Sequence, residues 1–68
     1  MKISYDAEVD ALSITFRETT VTTKHLGDGI AADYDGAGHL VGLEILDTQK
    51  RLGGLETMQQ LVVEGFPR

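Results

Sequence analysis

The sequence predicts an α+β fold, an antiparallel four-stranded β-meander followed by one or two short C-terminal helices. Three observations support this fold class. Four short segments alternate apolar and polar residues with the period of a β-strand, and Asp and Gly residues, which favour turns, lie between them. After Leu46 the apolar residues recur at helical spacing instead. With 68 residues, the chain is expected to form one small domain, residues 1–68.

The first two strands are predicted at the N-terminus. Lys2–Tyr5 and Ala11–Phe16 both alternate with strand period, and five residues, Asp6–Asp10, connect them. An Asp in such a turn accepts a hydrogen bond from the backbone N–H two residues further on. Two strands joined by a connection of this length predict an antiparallel hairpin.

The next segment, Arg17–Asp28, is predicted to be a loop with some extended character. Its threonines and Val21 suit extended chain because β-branched side chains fit a pleated surface. The run Gly27-Asp28-Gly29 indicates a turn or a bulge.

The third and fourth strands, Ile30–Tyr34 and Leu40–Leu46, are predicted to form a second hairpin whose register follows from its side chains. A slip of one residue would place the Glu44 carboxylate on the buried face, at a large desolvation cost. A bulge at Gly38 is an alternative that would shift the ladder. The favoured register pairs Tyr34 with Val41, Ala32 with Leu43 and Ile30 with Ile45 on an apolar face, and Asp33 with Gly42 and Ala31 with Glu44 on the other.

The C-terminal part is predicted to be helical in two short pieces. Asp47 is placed to cap a first helix over Thr48–Leu52, which the pair Gly53-Gly54 ends. Helical spacing then relates Leu55, Met58, Leu61 and Val62, although Val62-Val63 also suits a last strand. The sequence leaves open whether residues 55–64 end as helix or strand.

The predicted sheet has more apolar surface than its own helices can cover. A helix of about ten residues is about 15 Å long and covers only part of such a face. Small domains without disulfides often complete their cores by oligomerising, and the chain has no cysteine. We therefore expect a homodimer, since closed two-fold symmetry is the commonest arrangement.

Composition and charge restrict the function classes. Six Lys and Arg residues against eleven Asp and Glu give a net charge of −5, which disfavours direct nucleic-acid binding. No apolar run approaches the roughly 20 residues needed to cross a bilayer, and an acidic residue at position 6 interrupts any signal-peptide core. We expect a soluble, cytoplasmic protein that makes no membrane contact.

Several segments together resemble a family of short prokaryotic proteins, domain of unknown function 2283. The resemblance lies in Met1–Leu12, in Gly29–Asp35 with Gly38, in Val41–Asp47 and in Lys50-Arg51-Leu52. The chain departs from the family pattern at Val9, where Ala is usual, and at Ala37, where an acidic or amide residue is common. The resemblance implies a small β-rich fold in a prokaryotic cytoplasm, and it transfers no catalytic residue. Some family members look like partners of small toxin-like proteins.

Catalytic and metal-binding motifs are weak in this sequence. Asp33, Asp35 and Glu44 have the spacing of a calcium loop, but the flanking segments have strand period, whereas an EF-hand needs helices. His25 and His39 have no diagnostic spacing for a zinc site. We expect no enzyme activity and no cofactor. The alternative is a metal- or small-molecule-binding regulator that uses the Asp33-Asp35-His39 turn.

The acidic side chains of the second hairpin are the candidate binding site. By the predicted register, Asp33 and Glu44 share one face of the sheet, and Asp35 extends this acidic surface at the hairpin end. Complementary charge raises the rate at which two proteins meet. We therefore expect a non-enzymatic, self-associating domain that binds another protein, in the sharper version as the acidic, antitoxin-like partner of a small basic toxin.

Overall fold

The structure, a computed structural model, describes residues 1–66 and is an antiparallel five-stranded sheet with a small helical part at the C-terminus. A short α-helix and a 3-10 turn follow the last strand. The mostly β architecture with a C-terminal helical part is thus confirmed. The elements are β1 (Lys2–Asp6), β2 (Ala11–Thr15), β3 (Thr22–Gly27), β4 (Ile30–Tyr34), β5 (Leu40–Ile45), α1 (Thr48–Leu52) and the 3-10 turn (Leu55–Gln60).

The sheet has five strands rather than the predicted four. Thr22–Gly27, which the sequence analysis placed in a loop, forms β3 and pairs with β4. All six residues of β3, which is an edge strand, are exposed. A strand with no buried side chain does not need alternating apolar residues. The sequence of β3 therefore lacks the period-two pattern, although its backbone is extended.

The strand order is β1-β2-β5-β4-β3, so the sheet is not a simple meander. The last strand, β5, inserts between β2 and β4 and pairs with both. This arrangement joins the N-terminal hairpin to the β3–β4 hairpin through a central strand. The predicted sequential order was wrong on this point because the β2–β5 pairing joins segments about 30 residues apart, which local patterns do not reveal.

The predicted register of the second hairpin is confirmed in four of its five pairs. Ile30 lies opposite Ile45, Ala31 opposite Glu44, Ala32 opposite Leu43 and Asp33 opposite Gly42. The ladder then shifts, so that Tyr34 pairs with Leu40 instead of Val41. The irregularity thus lies at the strand ends next to Val41, where an extra residue is accommodated.

A polar network joins the β1–β2 turn to α1. Asp10 adopts a left-handed conformation, φ 53°. Its carboxylate accepts hydrogen bonds from the Tyr5 hydroxyl, at 2.6 Å, and from the Gln49 backbone N–H, at 3.1 Å. Its backbone carbonyl accepts from the backbone N–H and the hydroxyl of the fully buried Thr48. We call Tyr5, Asp10, Thr48 and Gln49 the clamp.

The clamp corrects the predicted cap of α1. Asp47 occupies the N-cap position, as expected, but its side chain makes no capping hydrogen bond. The carboxylate of Asp10 reaches the first turn of α1 from 39 residues away and accepts from Gln49 instead. Gly53, with φ 78°, ends the helix as the sequence indicated.

The C-terminal part covers only one side of the apolar sheet face. Met58 and Leu61 line a groove together with Ile3, Leu12 and Ile14, which belong to β1 and β2. The predicted second helix is a 3-10 turn, and residues 61–66 form neither helix nor strand. Apart from the buried Ala32, the side chains that β4 and β5 contribute to the same face are half-buried or exposed. We call them the open strip: Ile30, Tyr34, Leu40, Leu43 and Ile45.

The chain on its own has little interior. Apart from Leu55 and the last two residues, its buried apolar side chains are Leu12, Ala31, Ala32 and Val41, of which two are alanines. The molecule measures 35 × 31 × 18 Å, and its radius of gyration is 12.9 Å, against about 11 Å for a compact chain of this length. It exposes 5350 Å², whereas a compact monomer of 7.4 kDa exposes about 4200 Å².

Candidate functional site

The two faces of the sheet differ in chemistry because side chains alternate along each strand. One face carries the open strip and the side chains covered by the 3-10 turn. The other carries Thr23, His25, Asp33 and Glu44, which we call the acidic face. Its members come from β3, β4 and β5, so the β3–β4 and β4–β5 pairings bring them together.

The register places the two carboxylates of the acidic face as diagonal neighbours. Asp33 lies opposite Gly42, and Glu44 is two residues further along β5. The Thr23 hydroxyl, on the adjacent strand β3, donates a hydrogen bond of 2.5 Å to Asp33. The Asp33–Glu44 pair predicted from sequence is thus assembled on one face, and β3 adds the hydroxyl that orients Asp33.

Gly42 makes room for the Asp33 carboxylate. A Cβ atom at position 42 would lie 2.9 Å from Asp33 Oδ2 and 3.1 Å from the backbone carbonyl oxygen of Ile14. Any side chain there would displace the carboxylate or the neighbouring strand. The pairing of Gly42 with Asp33 follows from the predicted register, whereas its contact with Ile14 depends on β5 lying beside β2, which the sequence does not reveal.

Partial burial and nearby charges both shift the pKa of Glu44. Loss of solvent is the main cause that raises the pKa of Glu44 above its ordinary value, and the nearby Asp33 carboxylate raises it further. The interaction with His25 lowers the pKa of Glu44. Glu44 and His25 line an open cleft with Thr23, Ala31 and Leu46. The acidic face therefore holds two carboxylates that repel each other and that a cation would stabilise.

Asp35 is engaged in its own turn. Its carboxylate accepts from the backbone N–H groups of Ala37 and His39, and from the Arg17 guanidinium. The hydrogen bond from the His39 N–H is the main cause that lowers the pKa of Asp35, with that from Ala37 and the charges of His39 and Arg17 adding to it. Asp35 therefore holds the β4–β5 turn in place, and its charge is already paired with that of Arg17.

The structure does not gather the residues of the metal-binding alternative into a ligand set. Within residues 1–66, no three His, Asp or Glu side chains are close enough together to hold a metal ion. The Asp33 carboxylate accepts from Thr23, whereas that of Asp35 faces its turn. His39 lies near Asp35 but is 78% exposed. No observation favours a regulator based on the Asp33-Asp35-His39 turn.

The length and hydropathy of the helices show whether any of them could span a membrane. Between residues 1 and 66, the structure has no helix that is both long enough and apolar enough to span a bilayer.

Comparison with known proteins gives one match. A family model described as "Protein of unknown function (DUF2283)" matches residues 2–48, which is more than half of the chain and includes all five strands. The resemblance noted in the sequence is thereby confirmed, and the chain belongs to this family. No curated protein and no solved structure is significantly similar to the chain.

Proposed function

We propose that this member of the DUF2283 family is a non-enzymatic, self-associating domain that binds another protein. In the proposed arrangement, each of two copies covers the open strip of the other, and both present their acidic faces outwards. The setting is the cytoplasm of a prokaryotic cell, as the family resemblance implies. In the sharper version, the partner is a small, basic, toxin-like protein that the acidic face recognises.

The observation that carries the proposal is the excess surface of the single chain. The chain exposes 5350 Å², about 1100 Å² more than a compact monomer of its mass. A standard protein interface buries about 800 Å² on each partner. The excess is therefore larger than the area that one copy would bury in a standard dimer interface.

The position of the exposed apolar surface supports the same arrangement. The open strip lies on β4 and β5, beside the part of the face that Met58 and Leu61 already cover. Burial of apolar area contributes about 25 cal/mol per Å², so covering the open strip favours association. The acidic face lies on the opposite side of the sheet and stays accessible in such a dimer.

A pair of matched variants tests the dimer. Leu40 belongs to the open strip and is 45% exposed, whereas Leu46 lines the cleft of the acidic face and is 47% exposed. In a two-fold dimer, Leu40→Glu buries two carboxylates, and we expect the dimer Kd to rise at least about 100-fold. Leu46→Glu adds the same charge to the other face and should leave the Kd within about twofold. The readout is light scattering over a concentration series, with circular dichroism as the folding check.

Equal effects of the two leucine variants on a folded protein would contradict the assignment of the interface. A wild-type chain that stays at 7.4 kDa at every concentration would overturn self-association altogether.

The protein partner is tested by capture from the native organism with the wild-type domain and two charge-matched variants. Asp33→Asn with Glu44→Gln removes both charges of the acidic face. Glu8→Gln with Glu56→Gln removes two exposed charges elsewhere. We expect the wild type and the control to retain the same basic protein at low salt and the acidic-face variant to lose it. Retention by all three, or recovery of the domain alone, would contradict recognition by the acidic face.

A further inference from the structure

We infer that the C-terminal segment Leu61–Phe66 of each copy docks onto the open strip of the other copy. The inference rests on the proposed self-association and names the part of the partner that covers the open strip. Besides the open strip, the chain has a second exposed apolar surface, on the segment that follows the 3-10 turn.

The C-terminal segment is apolar and exposed. Leu61, Val62, Val63 and Phe66 have between 54% and 76% of their surface in contact with solvent. The 3-10 turn before them packs mainly against α1, and Leu61 has an extended conformation, with φ −63° and ψ 126°. Beyond Leu61, which lines the groove over β1 and β2, the segment therefore leaves the body of the domain with its apolar side chains uncovered.

The length of the segment fits the surface that needs a cover. Six extended residues span about 20 Å. Neighbouring strands lie about 4.8 Å apart, so the segment is long enough to cross β5, β4 and β3. Within its own chain the segment leaves the open strip uncovered, although Leu61 starts beside β1 and β2. Two-fold symmetry would satisfy both segments and both strips at once.

Charge is complementary between the segment and the strip. Glu64 lies among the apolar residues of the segment. On the sheet, Lys24 of β3 places its Nζ 5.6 Å from the centre of the Tyr34 ring, at the edge of the open strip. A segment docked over Tyr34 brings a carboxylate towards this cation. An apolar contact with one opposite-charge pair at its rim is a common form of protein interface.

The test mixes two full-length variants with opposite charge changes, Lys24→Glu and Glu64→Lys. If the segment docks between copies, each variant repels itself. The mixed dimer instead pairs the native Glu64 with the native Lys24 in one contact and the two introduced side chains, of opposite charge, in the other. Random mixing gives mixed dimers in half of the population. At low salt we expect about four-fifths, which corresponds to roughly fourfold tighter association of the unlike copies.

The control is a charge swap of the same kind away from both features. Lys50→Glu on α1 mixed with Glu8→Lys in the β1–β2 turn should give the random half. Native mass spectrometry distinguishes the mixed dimers once one variant carries a heavy isotope label, and it uses no crosslinker.

Each outcome has a defined meaning. An excess of mixed dimers for the Lys24 and Glu64 variants alone supports docking between copies. Random mixing of stable dimers overturns the docking of the segment and leaves the proposed self-association standing. A wild-type chain that is monomeric under the same conditions overturns both. Val63→Ser provides a second readout: it should weaken the dimer about tenfold, whereas Val9→Ser, at a similarly exposed valine in the β1–β2 turn, should not.

Discussion

The two ends of the sheet are completed in different ways. At the β1–β2 end, the clamp ties the turn to α1 through hydrogen bonds to Asp10, and the 3-10 turn lies over the apolar side chains. At the β3–β5 end, an exposed edge strand and the open strip have no such cover within the described chain, residues 1–66. One end is thus tied together by contacts within the chain, and the other presents the surfaces that a second molecule can use.

The largest effect on the folding of the single chain is expected at the clamp. Asp10→Ala removes the acceptor of the Tyr5 hydroxyl and of the Gln49 N–H, and we expect a loss of about 2–3 kcal/mol of unfolding free energy. Asp47→Ala is the matched control, since Asp47 has the same φ of 53° but no capping hydrogen bond. Urea unfolding of both variants separates the hydrogen bonds from the cost of the left-handed backbone. Equal losses in the two variants would show that the clamp contributes nothing specific.

The second-largest loss of stability is expected at the β3–β5 end of the sheet. Gly42→Ala places a Cβ against Asp33 Oδ2 and the Ile14 carbonyl, and we expect it to destabilise the protein by about 1–2 kcal/mol. Combining it with Asp33→Ser, which removes the nearest side-chain atoms, should recover part of the loss. Without such recovery, the close contact with Asp33 would not be the cause.

A smaller effect is expected from the buried hydroxyl of the clamp. Thr48→Val keeps the shape of a side chain that is fully buried, but it removes the donor to the Asp10 and Ile45 carbonyls. We expect a loss of about 1 kcal/mol in chemical denaturation. Thr48→Ser retains the donor and tests the packing of the methyl group alone. If the valine variant were as stable as the wild type, the hydroxyl would not contribute to the clamp.

The smallest effects are two pH dependences of stability, and the first arises on the acidic face. Because the folded state raises the pKa of Glu44, it holds the proton more tightly than the unfolded chain, and stability falls as pH rises above the ordinary value of 4.5. Glu44→Gln should therefore be more stable than the wild type at pH 7, by a few tenths of a kcal/mol. The advantage should vanish on acidification below pH 4.5. An advantage that is the same at both pH values would contradict this origin.

The pKa of Asp35 is lowered rather than raised, so its contribution to stability changes with pH in the opposite direction. Its lowered pKa means that its hydrogen bonds contribute stability above the ordinary value of 3.8, which is lost as pH falls through the folded-state pKa. Asp35→Asn should therefore narrow the acid-induced fall in melting temperature relative to the wild type. An unchanged fall would show that the turn hydrogen bonds do not depend on the charge.

Local patterns in the sequence predicted what depends on neighbouring residues. The alternation in Ala11–Phe16 and the cost of burying Glu44 were sufficient for the second strand and for most of the β4–β5 register. They also placed Asp33 and Glu44 on one face. The capping of α1 by Asp10 and the close contact of Gly42 with Ile14 were not predictable, because both depend on contacts between distant segments.

Two other differences have local causes. The strand β3 was missed because an exposed edge strand carries no apolar period. Asp35 was assigned to the acidic surface, but the hydrogen bonds from Ala37 and His39 turn its carboxylate into the β4–β5 turn. An Asp followed two residues later by a turn residue is the signal that could have indicated this role.

The central claim is that the open strip is covered by a second copy of the chain. The most direct measurement is the mass of the wild-type protein in solution, by light scattering across micromolar concentrations. The account predicts twice the chain mass of 7.4 kDa, with dissociation on dilution or on introducing Leu40→Glu. A folded particle of 7.4 kDa whose Ile30, Leu43 and Ile45 side chains are protected from solvent would contradict it.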